Sequence, residues 1–305
     1  MKNLRFKISN LKFQIFSRRI WVGISLVIVL WMFTGCSIEV TEYTKAKAPN
    51  WTSDGKIVFI KDYNYVKISH SLFGTMDNVE GSYEVLTLCE VNSDGTGYKE
   101  IAEVFRSERH AISIAINSTS SVGDWVTFDL RTEDESVHRI CTIRRDGTNF
   151  NNTGVIGQNP DFSPDASKIV YEKPGEGIWI MDRDGSNDHQ IIADPDAKYP
   201  AWSPDDTLIA YGGWGVKIVN LINDRIISEY PMTGFPDWGS SDSLIVISTS
   251  GPIIIDIISE ETDTITDFSS GAGIFWSPDR QRFICYDGNW FVINRDGTGK
   301  WYLRP

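Results

Sequence analysis

The sequence has few of the side chains that most often carry out chemistry. It contains four histidines and four cysteines in 305 residues. It has no Gly-x-Ser-x-Gly elbow, no His-Glu-x-x-His motif, no phosphate-binding glycine loop and no dinucleotide fingerprint. The histidines are scattered along the chain without metal-ligand spacing. We therefore expect no metal, no cofactor and no catalytic residues, and we predict that the chain is not an enzyme.

Basic residues are scarce once the first 35 residues are set aside. The chain carries 29 Lys and Arg against 41 Asp and Glu, a net charge of −12. Six basic and no acidic residues precede residue 36, so the remainder holds 29 − 6 = 23 basic and 41 acidic residues, a net charge of −18. A surface this acidic repels phosphate backbones, which excludes nucleic acid as a partner. An acidic ring would favour a basic partner or cations.

The first 35 residues have the order of an export signal. A basic stretch precedes an apolar run from Ile20 to Phe33. A helix needs about 20 apolar residues to span a bilayer, so this run is short for an anchor and suits a signal core. It ends in Phe33-Thr34-Gly35-Cys36-Ser37, which resembles the end of bacterial lipoprotein signals, where the cysteine is lipidated and becomes residue one.

The lipoprotein resemblance implies a signal peptide over 1–35, lipidation of Cys36 and a tether over 36–47. It also implies a protein that is exported and anchored at the periplasmic side of a membrane or at the cell surface. An uncleaved N-terminal anchor is the alternative. In both cases the membrane is contacted through the N-terminus only.

Cysteine is too sparse for a disulfide scaffold. Beyond Cys36 the chain has Cys89, Cys141 and Cys285, an odd number for an exported protein. Cys89 and Cys141 each lie five residues before an Asp-Gly pair, so they occupy equivalent positions in neighbouring repeats. Face-packed sheets lie about 10 Å apart, farther than a disulfide allows. We predict three buried free thiols that pack as small apolar groups.

Helical periodicity is missing after residue 36, and a repeat is present instead. An aromatic residue recurs immediately before a Ser-Pro-Asp or similar turn, namely Trp51, Phe162, Trp202, Trp238 and Trp276. The last four copies follow one another at intervals of about 40 residues, the length of one propeller repeat. The longer interval from Trp51 to Phe162 has room for two long repeats, which implies one degraded copy near 114–123. The sequence therefore predicts six copies.

A second feature recurs in the same phase. Asp-Gly pairs begin at Asp94, Asp146, Asp184 and Asp296, and the turn-like pairs Asn223-Asp224 and Glu260-Glu261 fill the remaining places. Short β-branched runs lie between these turns. Four strands in a unit of about 40 residues, repeated six times, predict an all-β fold, a six-bladed β-propeller of four-stranded antiparallel blades over 48–305. The repeat resembles that of TolB-type six-bladed propellers, Pro-x-Trp-Ser-Pro-Asp-Gly followed by a strand and an Asp-Gly turn.

Antiparallel connectivity distributes the loops unequally between the two faces of the propeller. If the strands of a blade are called a to d from the axis outward, the uniform a–b and c–d turns share one face, which we call the turn face. The variable b–c loops and d–a crossovers share the other, the crossover face. On it, the b–c loop of the first blade, about 62–82, is far longer than its counterpart at 173–177, and 131–138 forms a second extension.

Long loops in compact domains are often functional. The candidate partner-binding residues therefore lie in these two extensions and are Tyr63, Tyr65, His70, Phe73, Asp77, Glu80 and His138. We predict a monomeric, non-catalytic binding or scaffold propeller that contacts a protein or glycan with its crossover face. The alternative is a propeller enzyme, a polysaccharide lyase or hydrolase, with its site at the channel mouth. Innermost-strand positions beside Trp202, Trp238 and Trp276 include Pro, Ala and Asp and no histidine, which speaks against the enzyme.

The sequence leaves the closure of the ring open. Residues 300–303 could complete the sixth blade alone, or 39–43 could add a strand to it.

Overall fold

The computed structural model describes residues 30–31, 36–71, 78–107, 116, 118–131, 137–232, 234–241, 243–248, 251–264 and 273–304. These residues form six antiparallel sheets arranged as a propeller, so the predicted all-β fold with six four-stranded blades is confirmed, and the sheet of the first blade carries one additional two-residue strand. None of the described residues belongs to a helix that is long and apolar enough to cross a membrane.

The strands follow the chain order blade by blade. The first sheet contains β1 (Leu30–Trp31), β2 (Cys36–Trp51), β3 (Lys56–Ser71), β4 (Asn78–Asn92) and β5 (Lys99–Ser107). The second contains β6 (Thr119–Val122), β7 (Trp125–Leu130), β8 (Arg139–Arg144) and β9 (Asn151–Ile156), and the third β10 (Gln158–Phe162), β11 (Lys168–Lys173), β12 (Gly177–Asp182) and β13 (His189–Ile192).

The fourth sheet contains β14 (Lys198–Trp202), β15 (Leu208–Gly212), β16 (Val216–Asn220) and β17 (Arg225–Tyr230). The fifth contains β18 (Pro236–Ser240), β19 (Ser243–Ser248), β20 (Gly251–Asp256) and β21 (Thr262–Thr264), and the sixth β22 (Ile274–Trp276), β23 (Arg282–Tyr286), β24 (Trp290–Asn294) and β25 (Trp301–Tyr302). The degraded copy expected near 114–123 is β6 and the turn after it.

The repeated turns are held by local hydrogen bonds. In the fourth blade the Ser203 hydroxyl donates to Asp205 Oδ1 over 2.7 Å and accepts from the Leu208 N–H over 2.9 Å. The Thr96 N–H donates to Asp94 Oδ1 over 2.9 Å, and Gly95 takes a φ of +84°. Side chains of Asp and Ser that satisfy nearby backbone groups are the reason why these residues mark turns. The predicted turn at 223–224 is also present, with a φ of +54° at Asp224.

The cores lie between the sheets. Each cluster of buried apolar residues joins two neighbouring blades, and the repeat residues Trp202, Trp238 and Trp276 are each no more than 8% exposed. The three thiols predicted as buried and free are confirmed as such, all at 0% exposure. Burial raises the pKa of the Cys89 and Cys285 thiols, which keeps them protonated and unreactive.

A ring of hydrogen bonds joins each inner strand to the next. In every case a side chain at or beside the position of the repeat aromatic, which is Ser121 in the second blade, bonds to the main chain of the adjoining blade. The six pairs are Asn50 with Thr119, Ser120 with Phe162, Asp161 with Trp202, Trp238 with Ala201, Asp237 with Trp276, and Trp51 with Phe275, at 2.7–3.2 Å. The inner strands are therefore coupled all the way around the axis.

The ring closes without strand exchange. The strands β22 to β25 complete the sixth blade, and residues 39–43 lie in β2 of the first blade. Side chains make the joint: the Trp51 Nε1–H donates to the Phe275 carbonyl over 3.1 Å, and the Trp301 Nε1–H to the Ser93 carbonyl over 3.2 Å. The sixth blade is therefore complete without a strand from residues 39–43, the first of the two closures that the sequence allows.

The first blade departs from the sequence interpretation. Residues 36–47, expected as a tether, belong to β2, and most of 62–82, expected as a loop, belongs to β3 and β4. Pairing extends from the blade to Cys36↔Ser71 and to Ser69↔Asn78, with register shifts between Lys47 and Asn50 and between Lys67 and Ile68. Within this segment β3 is paired on both sides, so its backbone groups are satisfied beyond the blade. We call this extension, residues 36–46, 62–71 and 78–85, the stalk.

Candidate functional site

A cavity of about 710 Å³ lies on the axis, beside residues 45–50 of β2 and near the first residues of the other five inner strands. All six blades contribute to its wall. Inner strands start on the crossover face, and the other lining residues, such as Glu172 and Trp290, lie at the ends of second or third strands on that same face. The cavity therefore opens on the crossover face, and its volume is typical of a site for a small ligand.

Three inner strands carry a bulge at the wall of this cavity. The register shifts between Lys47 and Asn50, between Gln158 and Asp161, and between Lys198 and Ala201. One residue in each bulge is left-handed, with φ of +47°, +52° and +54° at Ala48, Asn159 and Tyr199. Such a conformation costs a non-glycine residue about 1–2 kcal/mol. Bulges redirect side chains, and here the Asn159 and Tyr199 residues line the cavity.

Aromatic side chains line the side of the cavity that the fourth, fifth and sixth blades form. The ring centroids of Tyr199 and Phe235 are 4.1 Å apart. Trp290 lies 6.2 Å from Phe275 and 5.0 Å from Tyr286. These five rings provide broad apolar faces next to the cavity.

Charged and amide groups line much of the opposite side. Lys45 and Lys47 come from β2, and Asn159 and Glu172 come from the third blade. The buried Glu172 carboxylate accepts from Asn159 Nδ2 over 2.8 Å and from the Tyr199 N–H over 3.4 Å. Burial raises the pKa of this carboxyl group, and these two hydrogen bonds oppose the rise.

Lysines border this group on both sides. Lys198 lies close enough to Glu172 for its charge to lower the pKa of that carboxyl group. Lys47 forms an ion pair of 2.7 Å with Asp62, whose side chain is almost fully buried at the base of the stalk. The cavity thus has fixed cations and a carboxyl group with a perturbed pKa, the kind of group that is enriched at functional sites.

Two further carboxyl groups in the wall belong to the ring of inter-blade hydrogen bonds. Asp161 Oδ2 accepts from the Trp202 N–H over 2.7 Å, and Asp237 Oδ2 accepts from the Trp276 N–H over 2.8 Å. Burial, and to a smaller extent the charge of Asp161, raise the pKa of Asp237 to about 8. These residues hold neighbouring blades together, and Asp237 keeps its proton at neutral pH.

The predicted site residues are only partly brought together. Tyr63 and Tyr65 lie on the stalk and contact Tyr83, with ring centroids 5.8 and 5.0 Å apart. Phe73 and Asp77 lie outside the described residues, as do the side chains of His70 and Glu80.

His138 differs from the expectation of an exposed loop residue. It is 7% exposed, and its Nδ1 lies 2.5 Å from Asp129 Oδ2, which is fully buried. A buried carboxylate requires a polar partner, and His138 provides one. We therefore assign His138 to the interior of the second blade and not to a partner-binding surface.

Sequence reasoning missed the cavity residues. It considered only the positions directly beside the repeat tryptophans, whereas Tyr199 and Phe235 lie three residues before Trp202 and Trp238. A signal was present, because Ala48, Asn159, Tyr199 and Phe235 all precede a proline at this same phase of the repeat. Glu172 carried no such signal, since its role depends on the bulge beside it.

An exposed tryptophan stands on the crossover face of the fourth blade. Trp214 is 83% exposed, and its Nε1–H donates to Asp196 Oδ2 over 2.8 Å. The loop that carries it is clamped, because a Cβ on Gly213 would lie 2.6 Å from the Asp196 carbonyl oxygen. Asp196 is two residues from Lys198 in the cavity wall, a span of at most about 7 Å. The indole is therefore fixed near the rim with its faces in solvent.

Comparisons with known proteins identify structures of similar fold but no family. No family model matches the chain, and no curated protein matches it. An oligogalacturonate lyase in complex with manganese is similar with a TM-score of 0.50 at 11% identity, covering 83% of this chain and 90% of the lyase. An oligogalacturonate lyase from Vibrio parahaemolyticus gives a TM-score of 0.50 at 11% identity, covering 87% and 92%. The propeller domain of the Trilobed protease from Pyrococcus furiosus gives 0.42 at 14% identity, covering 62% and 70%.

The prediction that the chain is not an enzyme is corrected by these comparisons. It rested on the absence of hydrolase, nucleotide and metal-site motifs, yet two structures of similar fold are lyases. A propeller needs no helix-borne motif for such chemistry, because catalytic groups on several blades meet only in the folded structure. At 11% identity the likeness itself shows the fold alone.

Manganese is named for one of these lyases, and the residues described in this chain do not fit such an ion. Across the described ranges, no three His, Cys, Asp or Glu side chains are grouped so as to hold a metal. We derive no step through a metal.

Proposed function

We propose that the chain is an exported, lipid-anchored propeller that binds a glycan in its axial cavity. The observation that supports this best is the division of the cavity into an aromatic side and a charged, hydrogen-bonding side. A pyranose ring has C–H faces that pack on aromatic rings and hydroxyl edges that need donors and acceptors. The five rings and the polar groups around Glu172 offer both kinds of contact.

Isothermal titration of oligogalacturonates and of neutral cello-oligosaccharides tests this proposal. Trp290→Ala removes the largest ring, and Lys198→Ala removes an exposed cation without disturbing the core. We expect each variant to bind about tenfold more weakly, the equivalent of about 1.4 kcal/mol. Phe150→Ala, a partly exposed ring on the turn face, is the matched control. If no glycan of a broad panel bound the native protein, the proposal would be wrong.

A lyase acting on uronate-containing glycans is the second candidate. It is favoured by Lys198 beside Glu172, because a lysine can pair with a uronate carboxylate while the carboxylate of Glu172 removes the neighbouring C5 proton. The electron pair of that C–H bond forms the C4–C5 double bond, the C4–O bond breaks, and the leaving oxygen takes a proton from solvent or a lysine. The fold of the two oligogalacturonate lyases supports this candidate at the level of architecture.

Ultraviolet absorbance of the unsaturated product tests the lyase candidate on polygalacturonate. Glu172→Gln should bind the polymer and lose the absorbance increase, since an amide accepts no proton. If Glu172→Gln were as active as the native protein, another residue would be the base. If the native protein had no lyase activity, glycan binding would remain the proposed function of the cavity.

Anchoring at the envelope is tested separately. Cys36→Ala should release the protein from membranes or leave its signal uncleaved, as seen by fractionation and intact mass. Unchanged fractionation and mass would contradict lipidation, and a membrane-bound chain of full length would support the uncleaved anchor. We also propose that the repeat is of the TolB type and that a protein partner can bind the crossover face.

A further inference from the structure

The first blade is much longer than the others at one end only. Strands β2, β3 and β4 have 16, 16 and 15 residues, whereas β14, β15 and β16 of the fourth blade have 5 each. The blades match at the turn face, where Trp51 and Trp202 occupy the same place in the repeat. All the additional length therefore projects beyond the crossover face, which is the face on which the cavity opens.

The stalk has the properties of a stiff spacer. Its three strands are paired along the stalk with one register shift, between Lys67 and Ile68, and Tyr65 stacks on Tyr83 across β3 and β4 at 5.0 Å with an interplanar angle of 19°. The Lys47–Asp62 ion pair fixes its base beside the cavity. Residues 36–46 rise about 3.3 Å each, so Cys36 lies about 35 Å beyond the cavity.

We infer that the stalk holds the cavity facing the membrane, at a distance of about 35 Å. This inference rests on the N-terminal anchoring in the proposed function, because Cys36 begins the stalk at its far end. The cavity then opens on the gap between propeller and bilayer, and the turn face points away from the membrane.

Two residues of the fourth blade make a matched pair for measuring this orientation. Trp214 is on the crossover face and Ile222 is on the turn face, and both are 83% exposed. Cys89, Cys141 and Cys285 are fully buried, so a thiol dye should label only an introduced cysteine. The full-length lipidated protein is therefore labelled as Trp214→Cys or Ile222→Cys and placed in phosphatidylcholine vesicles that contain an acceptor-labelled lipid.

We expect several-fold greater energy transfer to the lipid from position 214 than from position 222. A shortened stalk sharpens the test: deletion of 38–41, 66–69 and 78–82 keeps the strands in register and removes about 13 Å. Transfer from both positions should then rise.

Three other results would each contradict part of this inference. Equal transfer from the two positions, or greater transfer from 222, would overturn the orientation. No change on shortening would show that the stalk does not set the distance. A protein that fails to join vesicles and lacks the lipid by mass would overturn the anchoring together with this inference, while glycan titration remains a separate measure of the cavity.

Discussion

The two faces of the propeller use the same repeat differently. On the turn face, short Asp-containing turns recur with the same internal hydrogen bonds, and left-handed residues lie in turns and not in strands. Beside the cavity, Asn159 and Tyr199 are left-handed within strands, and the Glu172 carboxyl group is buried. Strain inside regular structure is thus concentrated where the cavity is. This difference favours the turn face as the part that maintains the fold and the crossover face as the part that serves the proposed function.

The largest expected effect is on the turn face. Arg145 joins the first two blades, with Nη1 2.9 Å from Asp54 and Nη2 2.5 Å from Glu90. Arg145→Met leaves both carboxylates without this cation, and we expect a loss of about 2–3 kcal/mol in the free energy of unfolding in urea. Glycan affinity should not change.

Arg144→Met is the matched control for that prediction. Arg144 pairs with Asp124, which is 73% exposed, so its loss should cost about 0.5 kcal/mol or less. Burial raises the pKa of Asp54, but the hydrogen bonds from Arg145 and Thr52 and the charge of Arg145 outweigh it and lower the pKa to about 2. Their stabilisation is therefore present above the ordinary carboxyl pKa and is lost as the pH falls toward 2. Equal losses for the two arginine variants would contradict the role assigned to Arg145.

The second prediction concerns Asp237 in the cavity wall. Its folded pKa of about 8 lies above that of the unfolded chain, so the folded state keeps a proton that the unfolded state releases. Its contribution to stability is therefore complete below pH 4 and declines as the pH rises to 8. Asp237→Asn keeps an acceptor for the Trp276 N–H and does not titrate. The variant should match the native chain near pH 4 and exceed it by about 2 kcal/mol at pH 8, in urea unfolding at each pH.

Asp182 on the turn face gives the contrasting case for this second prediction. It pairs with Lys168, and hydrogen bonds lower its pKa. Asp182→Asn should therefore not become more stable than the native chain at pH 8. A native pH profile that Asp237→Asn reproduces at every pH would show that Asp237 does not titrate in this range.

How far the sequence could predict the molecule follows from the same contrast. The turn face is built from contacts two to five residues apart, such as Ser203 with Asp205 and Leu208, so its repeat predicted six blades. The cavity joins residues that are distant in the chain, such as Lys47, Glu172 and Trp290. Their meeting depends on bulges and on closure of the ring, which no local pattern records.

The stalk was misinterpreted for a different physical reason. The repeat places residues 62–82 between the second and third strands of the first blade. The sequence therefore predicts a long b–c loop there. In the structure residues 62–69 of β3 pair with residues 78–86 of β4, and residues 36–45 of β2 pair along the other edge of β3. The backbone groups of β3 thus find partners on both sides, which neither a loop nor a tether would provide.

The third prediction compares two residues of equal exposure on the two faces. Trp214→Ala should weaken binding of long oligogalacturonates about tenfold, because the indole beside the rim offers a face to a sugar beyond the cavity. Ile222→Ala, equally exposed on the turn face, should leave affinity unchanged. Isothermal titration with short and long oligogalacturonates measures both effects, and neither substitution should change the affinity for the short ones. Equal affinities of the Trp214→Ala and native proteins for long chains would confine the site to the cavity.

The smallest expected effect is a gain on the turn face. Asp224 adopts a φ of +54° in the c–d turn, where the third blade places Gly185 at +94°. Asp224→Gly therefore relieves a left-handed non-glycine residue in an exposed turn, and we expect about 0.5 kcal/mol of added stability in urea unfolding with no change in glycan affinity. Tyr199→Gly relieves a similar conformation in the cavity, but it also removes a ring from the aromatic side and should weaken binding. If both substitutions stabilised the protein and neither altered binding, the division of labour between the two faces would be wrong.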